Sequence, residues 1–323
     1  YYQSFPAFNS RPRNIGDVQI SVASSSLIAK PLIEAIIGST HTLASVITTP
    51  DQKAGRGQAS KQTELADWAD EQGFPVAKPG DTPALNQHLL SAQPQMIITA
   101  SYGRMIPVEL LHGPRFGWLN VHFSMLPKWR GAAPVQWSLL EGESSTGISI
   151  FKLDKGIDTG PIYFQEEVQI SPSDTTESLL TTMSELAGKR ILDVVSEIMR
   201  GVKPKAQPLA GVTLAPKITK EMAQIHWDHG AEQILRLSRA LSVRPGTWSN
   251  FKGERIAIHQ LTENLSPNDL KQPGSIGLFD DALLVRCGDS TLSIDSITPA
   301  GKKRMSGADF ARGARLTPED RFE

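Results

Sequence analysis

The chain has 323 residues, 39% apolar and 21% charged, with a formal net charge of −1. That length allows about two domains, and the composition is that of an ordinary folded protein rather than a disordered or fibrous one. Near-neutral charge excludes a global field for polyanions, so a nucleic-acid partner must be met by a local basic patch. A single cysteine, Cys287, excludes an intramolecular disulfide framework and a multi-cysteine zinc site.

Residues 1–17 show no periodicity and read as a flexible extension or remnant outside the fold. Val18–Ala23 is β-prone, Ser24-Ser25-Ser26 turns the chain, Leu27–Ile37 is helical and Leu43–Thr48 is the next strand, which together make a βαβ unit. The turn lacks the glycines of a dinucleotide fingerprint, which argues against a nicotinamide dehydrogenase; its serines read first as helix caps. Pro50 to Gly57 is a glycine-bearing basic loop that presents Lys53 and Arg56, chemistry suited to phosphate. Helix Lys61–Gln72, a short strand at 74–76, helix Thr82–Ser91, strand Gln95–Ala100 and a short helix at 108–111 continue the alternation.

Trp118 to Phe123 then reads as a buried strand interrupted by Asn120 and His122, which share one face at i and i+2. Pro127, Gly131 and Pro134 rule out regular structure after it until a helix at 133–140. A strand at 146–153 is expected to lie parallel beside the Trp118 strand. It leads into Asp154-Lys155-Gly156-Ile157-Asp158-Thr159-Gly160-Pro161, and a strand at 162–170 and a long amphipathic helix at 177–199 close the first domain. The expected fold is α/β: an open, mostly parallel, Rossmann-like sheet flanked by helices over 18–200. A Pro/Gly/Lys-rich linker is expected over 201–216. Residues 217–323, with a helix at 231–241 and about five short strands, are expected to form an OB-like β-barrel. Lys302, Lys303 and Arg304 put three cations in a row beside it.

A catalytic use of Asn120 and His122 requires a carboxylate to orient the imidazole. Asp154 and Asp158 are both available, and Asp158 sits deepest in the turn. Taken alone, His122 suits a satisfied core histidine and Asp158 an Asx turn; the trio together suggests group transfer without a protein nucleophile. No H-E-x-x-H, Cys-x-x-Cys or G-x-S-x-G motif occurs. Cys287, within L-L-V-R-C, reads as a packed strand residue. No run of 18 apolar residues and no signal-peptide pattern is present, so a cytoplasmic protein without a membrane span is expected.

The run N-V-H-F-S-M-L-P-K-W-R-G-A-A-P, with L-D-K-G-I-D-T-G-P, closely resembles the folate-dependent formyltransferases. Four further stretches, at 50–57, 215–227, 244–248 and 301–306, resemble the tRNA-acting branch. The resemblance runs from about 19 to 313. It implies a formyl-transfer domain followed by an OB-like tRNA-binding domain, and 10-formyltetrahydrofolate as formyl donor; no metal is expected, because the sequence carries no metal-ligand cluster. The acceptor it implies is the α-amine of initiator methionyl-tRNA, for translation initiation; a monomer is expected. It carries the catalytic roles onto Asn120, His122 and Asp158, and the folate loop onto Ser124, Met125, Leu126 and Pro127. The tRNA contacts fall on Lys53 and Arg56, and on the Lys302-Lys303-Arg304 cluster. Where the family usually has a Gly-Thr-Pro turn this chain has Ser24-Ser25-Ser26, and Ile28 stands at the neighbouring phenylalanine. The competing readings are a formyltransferase for an amino sugar or other small amine, and a non-catalytic OB-type nucleic-acid-binding protein.

Overall fold

The computed structural model describes residues 16–54, 59–264 and 268–323. Residues 1–15 of the expected extension, and Arg56 of the basic loop, lie outside the described residues.

In chain order, β1 (Gln19–Ala23), α1 (Lys30–Ile37) and β2 (Thr42–Ile47) form the expected βαβ unit. Ser26 caps the short 3-10 turn ahead of α1, its side chain accepting from the Ile28 N–H. β3 (Gln52–Ala54) and β4 (Ala59–Lys61) pair antiparallel where the sequence predicts only a loop. α2 (Glu64–Glu71) starts three residues later than expected because Thr63 is its N-cap, the Thr63 Oγ1 accepting from the Ala66 N–H at 3.1 Å. β5 (Val76–Ala77), α3 (Thr82–Ala92), β6 (Met96–Thr99), α4 (Val108–Leu111) and β7 (Trp118–His122) come after it. Asp81 caps α3 through the Ala84 N–H at 2.8 Å. Next come β8 (Arg130–Gly131), α5 (Pro134–Leu140), β9 (Ser145–Lys152), β10 (Ile162–Gln169), α6 (Thr176–Met199) and β11 (Leu214–Ala215).

Seven of these strands form one sheet in the order β10-β9-β7-β6-β1-β2-β5. β1 pairs with β2 and β6 in parallel, as β2 does with β5 and β6 with β7. β9 neighbours β7 as expected, but antiparallel, with Asn120 opposite Phe151 and His122 opposite Ser149. The only helix between them, α5, has seven residues. It spans about 10 Å, too little to carry the chain back to the far end of the sheet.

The chain divides into two compact units. The first comprises residues up to 122 with 149–165 and 184–207. Its core gathers Ala23, Ile47, Leu85, Ile97, Tyr102, Leu110, Leu111 and Trp118. Beneath β1 and β2 a buried polar chain links Ser21 to Ser45 (2.8 Å) and Ser45 to His88 Nε2 (2.9 Å), which satisfies two hydroxyls that burial would otherwise leave unpaired. The second unit comprises 123–148, 166–183 and 208–323. It contains α7 (Ala231–Leu241), β12 (Trp248–Phe251), β13 (Glu254–Asn264), β14 (Ile276–Phe279), β15 (Ala282–Arg286), β16 (Thr291–Thr298), β17 (Met305–Ser306) and α8 (Gly307–Ala314).

This second sheet runs β12-β13-β16-β15-β14, with β17 on β16, and it is antiparallel as an OB-like barrel requires. The last residues meet both of its edges. Phe322 donates its N–H to Gly274 O at 2.9 Å ahead of β14, while Asn250 and Glu323 exchange backbone bonds at 3.1 and 2.9 Å on β12. The Phe322 ring packs with Phe251 and Phe310 in the core.

The segment expected as a linker is strapped down in both units. Lys205 and Ile162 exchange backbone hydrogen bonds of 2.7 and 2.8 Å in the first. In the second, β11 pairs with β8, where Gly131 lies at φ +128° and a Cβ would approach the Ala215 carbonyl to 2.6 Å. Pro/Gly composition predicts irregular backbone, but irregular backbone can still be tied by tertiary hydrogen bonds. No helix among the described residues is long and apolar enough to cross a membrane.

Candidate active site

The face of β7 that buries Trp118 in the first core also carries Asn120 and His122 at the strand's carboxyl end. Ligand sites of open α/β sheets form at that end. His122 is 5% exposed, and the Phe151 ring meets it edge-on, with centroids 6.5 Å apart. Its Nδ1 lies 3.7 Å from Asp158 Oδ2. Asn120 is half-buried, and its side-chain Oδ1 accepts from the Thr99 hydroxyl at 2.6 Å.

The two carboxylates of the D-K-G-I-D-T-G turn divide their work. Asp154 is the turn-former: its Oδ1 accepts from the Gly156 N–H (3.0 Å) and the Thr159 hydroxyl (2.6 Å). Asp158 faces His122 instead, from a left-handed backbone conformation of φ +51°. Gln207 Nε2 donates to Asp158 O and to Gly160 O, each at 2.8 Å, and so spans the turn from outside. A Cβ on Gly160 would run into the Lys152 carbonyl, so only glycine lets the turn lie against the end of β9.

The remaining expected residues fall elsewhere. In the S-M-L-P loop, Ser124 and Leu126 are buried, and the Ser124 hydroxyl donates to Lys128 O at 2.6 Å. Met125 lines a cavity of about 290 Å³ with Lys128, Trp129, Glu143, Ser145, Thr146 and Glu167. Lys53 lies on β3, opposite Ser60. Lys302, Lys303 and Arg304 are exposed ahead of β17. Arg304 borders a cleft of about 520 Å³ together with Trp248, Arg255 and His259. There the Arg255 guanidinium lies 4.2 Å from the Trp248 ring. Burial, and then the Arg304 charge, lower the His259 pKa from its ordinary value.

The turn that replaces Gly-Thr-Pro spends its hydroxyls on the protein: Ser25 Oγ donates to Ser101 O at 2.8 Å and Ser24 Oγ to Ser26 O at 3.1 Å. Sequence reasoning missed Thr99, Gln207 and Arg255. Thr99 leaves a faint trace, a lone hydroxyl ending the apolar strand M-I-I-T; Gln207, in a proline-rich segment, leaves none. Among the described residues there is no group of three or more His, Cys, Asp or Glu that could hold a metal ion.

Residues 18–195 match the family model described as formyl transferase, and residues 217–315 match the formyl transferase C-terminal domain. A methionyl-tRNA formyltransferase of Salinispora tropica is 36% identical over 303 residues, 93% of this chain and 98% of that protein. One from Mycobacteroides abscessus is 37% identical over 309 residues, 94% of this chain and 99% of that protein. The solved methionyl-tRNA formyltransferase of Clostridium thermocellum shares the fold, with a TM-score of 0.55 at 18% identity, covering 78% of this chain and 95% of that one. With both domain models matched in order and full-length relatives above a third identical, the chain belongs to the formyl transferase family, among its methionyl-tRNA formyltransferases.

Proposed function

We propose that this chain transfers the formyl group of 10-formyltetrahydrofolate to the α-amine of methionine on initiator tRNA, and that Asn120, His122 and Asp158 act on the reacting atoms. The observation that carries the reading is the buried His122, with Asp158 at 3.7 Å and Asn120 on the same strand face.

As the amine nitrogen adds to the formyl carbon, negative charge develops on the formyl oxygen. The side-chain N–H of Asn120 stabilises it, and removing one such donor commonly costs about 10²–10³ in rate. His122 accepts the proton that the amine sheds and delivers it, directly or through water, to the nitrogen that leaves as the old C–N bond breaks. Asp158 holds the imidazole in one tautomer and supports its charged form. The folate donor supplies the activated formyl carbon. Ser124, Met125, Leu126 and Pro127 are the residues we assign to holding it. Met125 is the flexible, half-buried member, and the two residues beside it are locked by burial and by the Ser124–Lys128 bond.

Lys53, Arg56, Lys302, Lys303 and Arg304 are assigned to the tRNA backbone, for which a chain of net charge −1 needs local cations. A formylation assay with 10-formyltetrahydrofolate compares charged initiator tRNA with an amino-sugar nucleotide as acceptor. Formylation of the tRNA alone is expected; formylation of the sugar alone would overturn the acceptor assignment.

A further inference from the structure

We infer that Thr99 is a positioning residue for the reaction: its hydroxyl holds the Asn120 side-chain amide with the N–H2 end offered to the reacting oxygen. Thr99 closes β6, stands opposite Asn120 in the parallel β6–β7 register, and is 4% exposed. Its Oγ1 lies 2.6 Å from Asn120 Oδ1 and 3.0 Å from Leu119 O. A hydroxyl carries one proton, and the shorter contact is the stronger claimant. A separation of 2.6 Å belongs to O–H···O bonds; N–H···O bonds cluster near about 2.9–3.0 Å. The hydroxyl therefore donates to the amide oxygen rather than accepting from the amide nitrogen, and the Leu119 carbonyl is its secondary partner.

The consequence lies in the chemistry of the asparagine side chain. Its terminal torsion is broad and nearly two-fold, so an unanchored amide presents either its oxygen or its N–H2 to a given point. An N–H2 stabilises a developing oxyanion, whereas an amide oxygen in the same place repels it. Thr99 removes that ambiguity before substrate arrives, from a neighbouring strand and without itself touching the reacting atoms. Valine has the same branched shape and would fill the same space, so the hydroxyl is the only part of Thr99 that the amide requires.

The inference rests on the assignment of Asn120 to the oxyanion, and its test separates the two. Steady-state kcat and KM for both substrates are measured for Thr99→Val, Thr99→Ala and Thr99→Ser, and for Thr99→Val combined with Asn120→Ala. Thermal unfolding checks each variant, and Thr99→Ala carries the comparison if Thr99→Val does not fold. Thr99→Val is expected to lower kcat about tenfold, the weight of one ordinary hydrogen bond, with both KM values unchanged. Thr99→Ser should restore kcat to within about twofold, because the donor returns without the methyl group. In the Asn120→Ala background Thr99→Val should cost nothing more. A folded Thr99→Val or Thr99→Ala with wild-type kcat overturns the inference, as does an equal loss in the Asn120→Ala background or a Ser variant as slow as the Val one. If Asn120→Ala itself turns over normally, the oxyanion assignment falls and takes this inference with it. If Asn120→Ala collapses while Thr99→Val does not, only the inference falls.

Discussion

Replacing Gln207 with leucine keeps the side chain's bulk and deletes the two 2.8 Å hydrogen bonds that it donates to Asp158 O and Gly160 O. Each is worth about 0.5–1.5 kcal/mol net, so the pair contributes about 1–3 kcal/mol to holding the turn. The turn keeps its internal Asp154 bonds to Gly156 and Thr159 in the variant, which places the loss toward the lower end. Against it stands the left-handed backbone of Asp158, φ +51°, a conformation that costs a non-glycine residue roughly 1–2 kcal/mol. A loss of about 1–2 kcal/mol makes the turn open about 5–30 times more often. Asp158 then spends more time away from His122, and kcat should fall in proportion to the closed population that is lost, with little change in KM. Two measurements are needed: turnover, and amide hydrogen exchange over 156–160. Faster exchange with unchanged kcat would refute the link between the turn's geometry and turnover. Unchanged exchange would refute the claim that Gln207 holds the turn.

Gly160→Ala should also displace the turn, because the added methyl meets the Lys152 carbonyl; activity should drop by more than for Gln207→Leu, and wild-type activity would show that the turn tolerates a Cβ. Arg304→Ala and Arg255→Ala should each raise the KM for tRNA and flatten its salt dependence by about one phosphate contact; a KM and salt slope equal to wild type would remove the cleft from the tRNA path. Burial, aided by the charge of Asp289, pushes the Cys287 thiol up to about 12. A thiol reagent at pH about 8 should therefore leave the native protein unlabelled and label the unfolded chain fully, since the thiolate is the reactive form; equal labelling of both would contradict the burial of this strand.

How much of the fold and site was legible in the sequence varies with the kind of interaction. Asn120 and His122 could be placed on one strand face because the period of two is local, and Trp118 marks that face as buried. Alternation tells which face a residue takes but not which way a strand runs, so the antiparallel course of β9 was not readable from 146–153. Asp154 and Asp158 share one short turn; the sequence points to Asp158 as the deeper of the two, and the geometry adds that Asp154 is spent on forming the turn. The hairpin of β3 and β4 hid behind a Gly/Lys-rich composition that reads as loop. Gln207 acts across 49 residues and Thr99 across 21, and such long-range side-chain contacts leave no periodic trace. The C-terminal residues that meet both edges of the second sheet are equally opaque: a lone Phe322 near a chain end carries no sign of two strand partners.

We assign the proton movement of formyl transfer to His122, backed by Asp158. Single-turnover formylation of charged initiator tRNA by wild type and His122→Ala, at saturating folate donor, tests it most directly. The chemical step should slow by about 10²–10⁴-fold while the unfolding transition and tRNA affinity stay near those of wild type. A folded His122→Ala that formylates within about twofold of the wild-type rate would contradict the account, since general acid–base catalysis contributes far more than that.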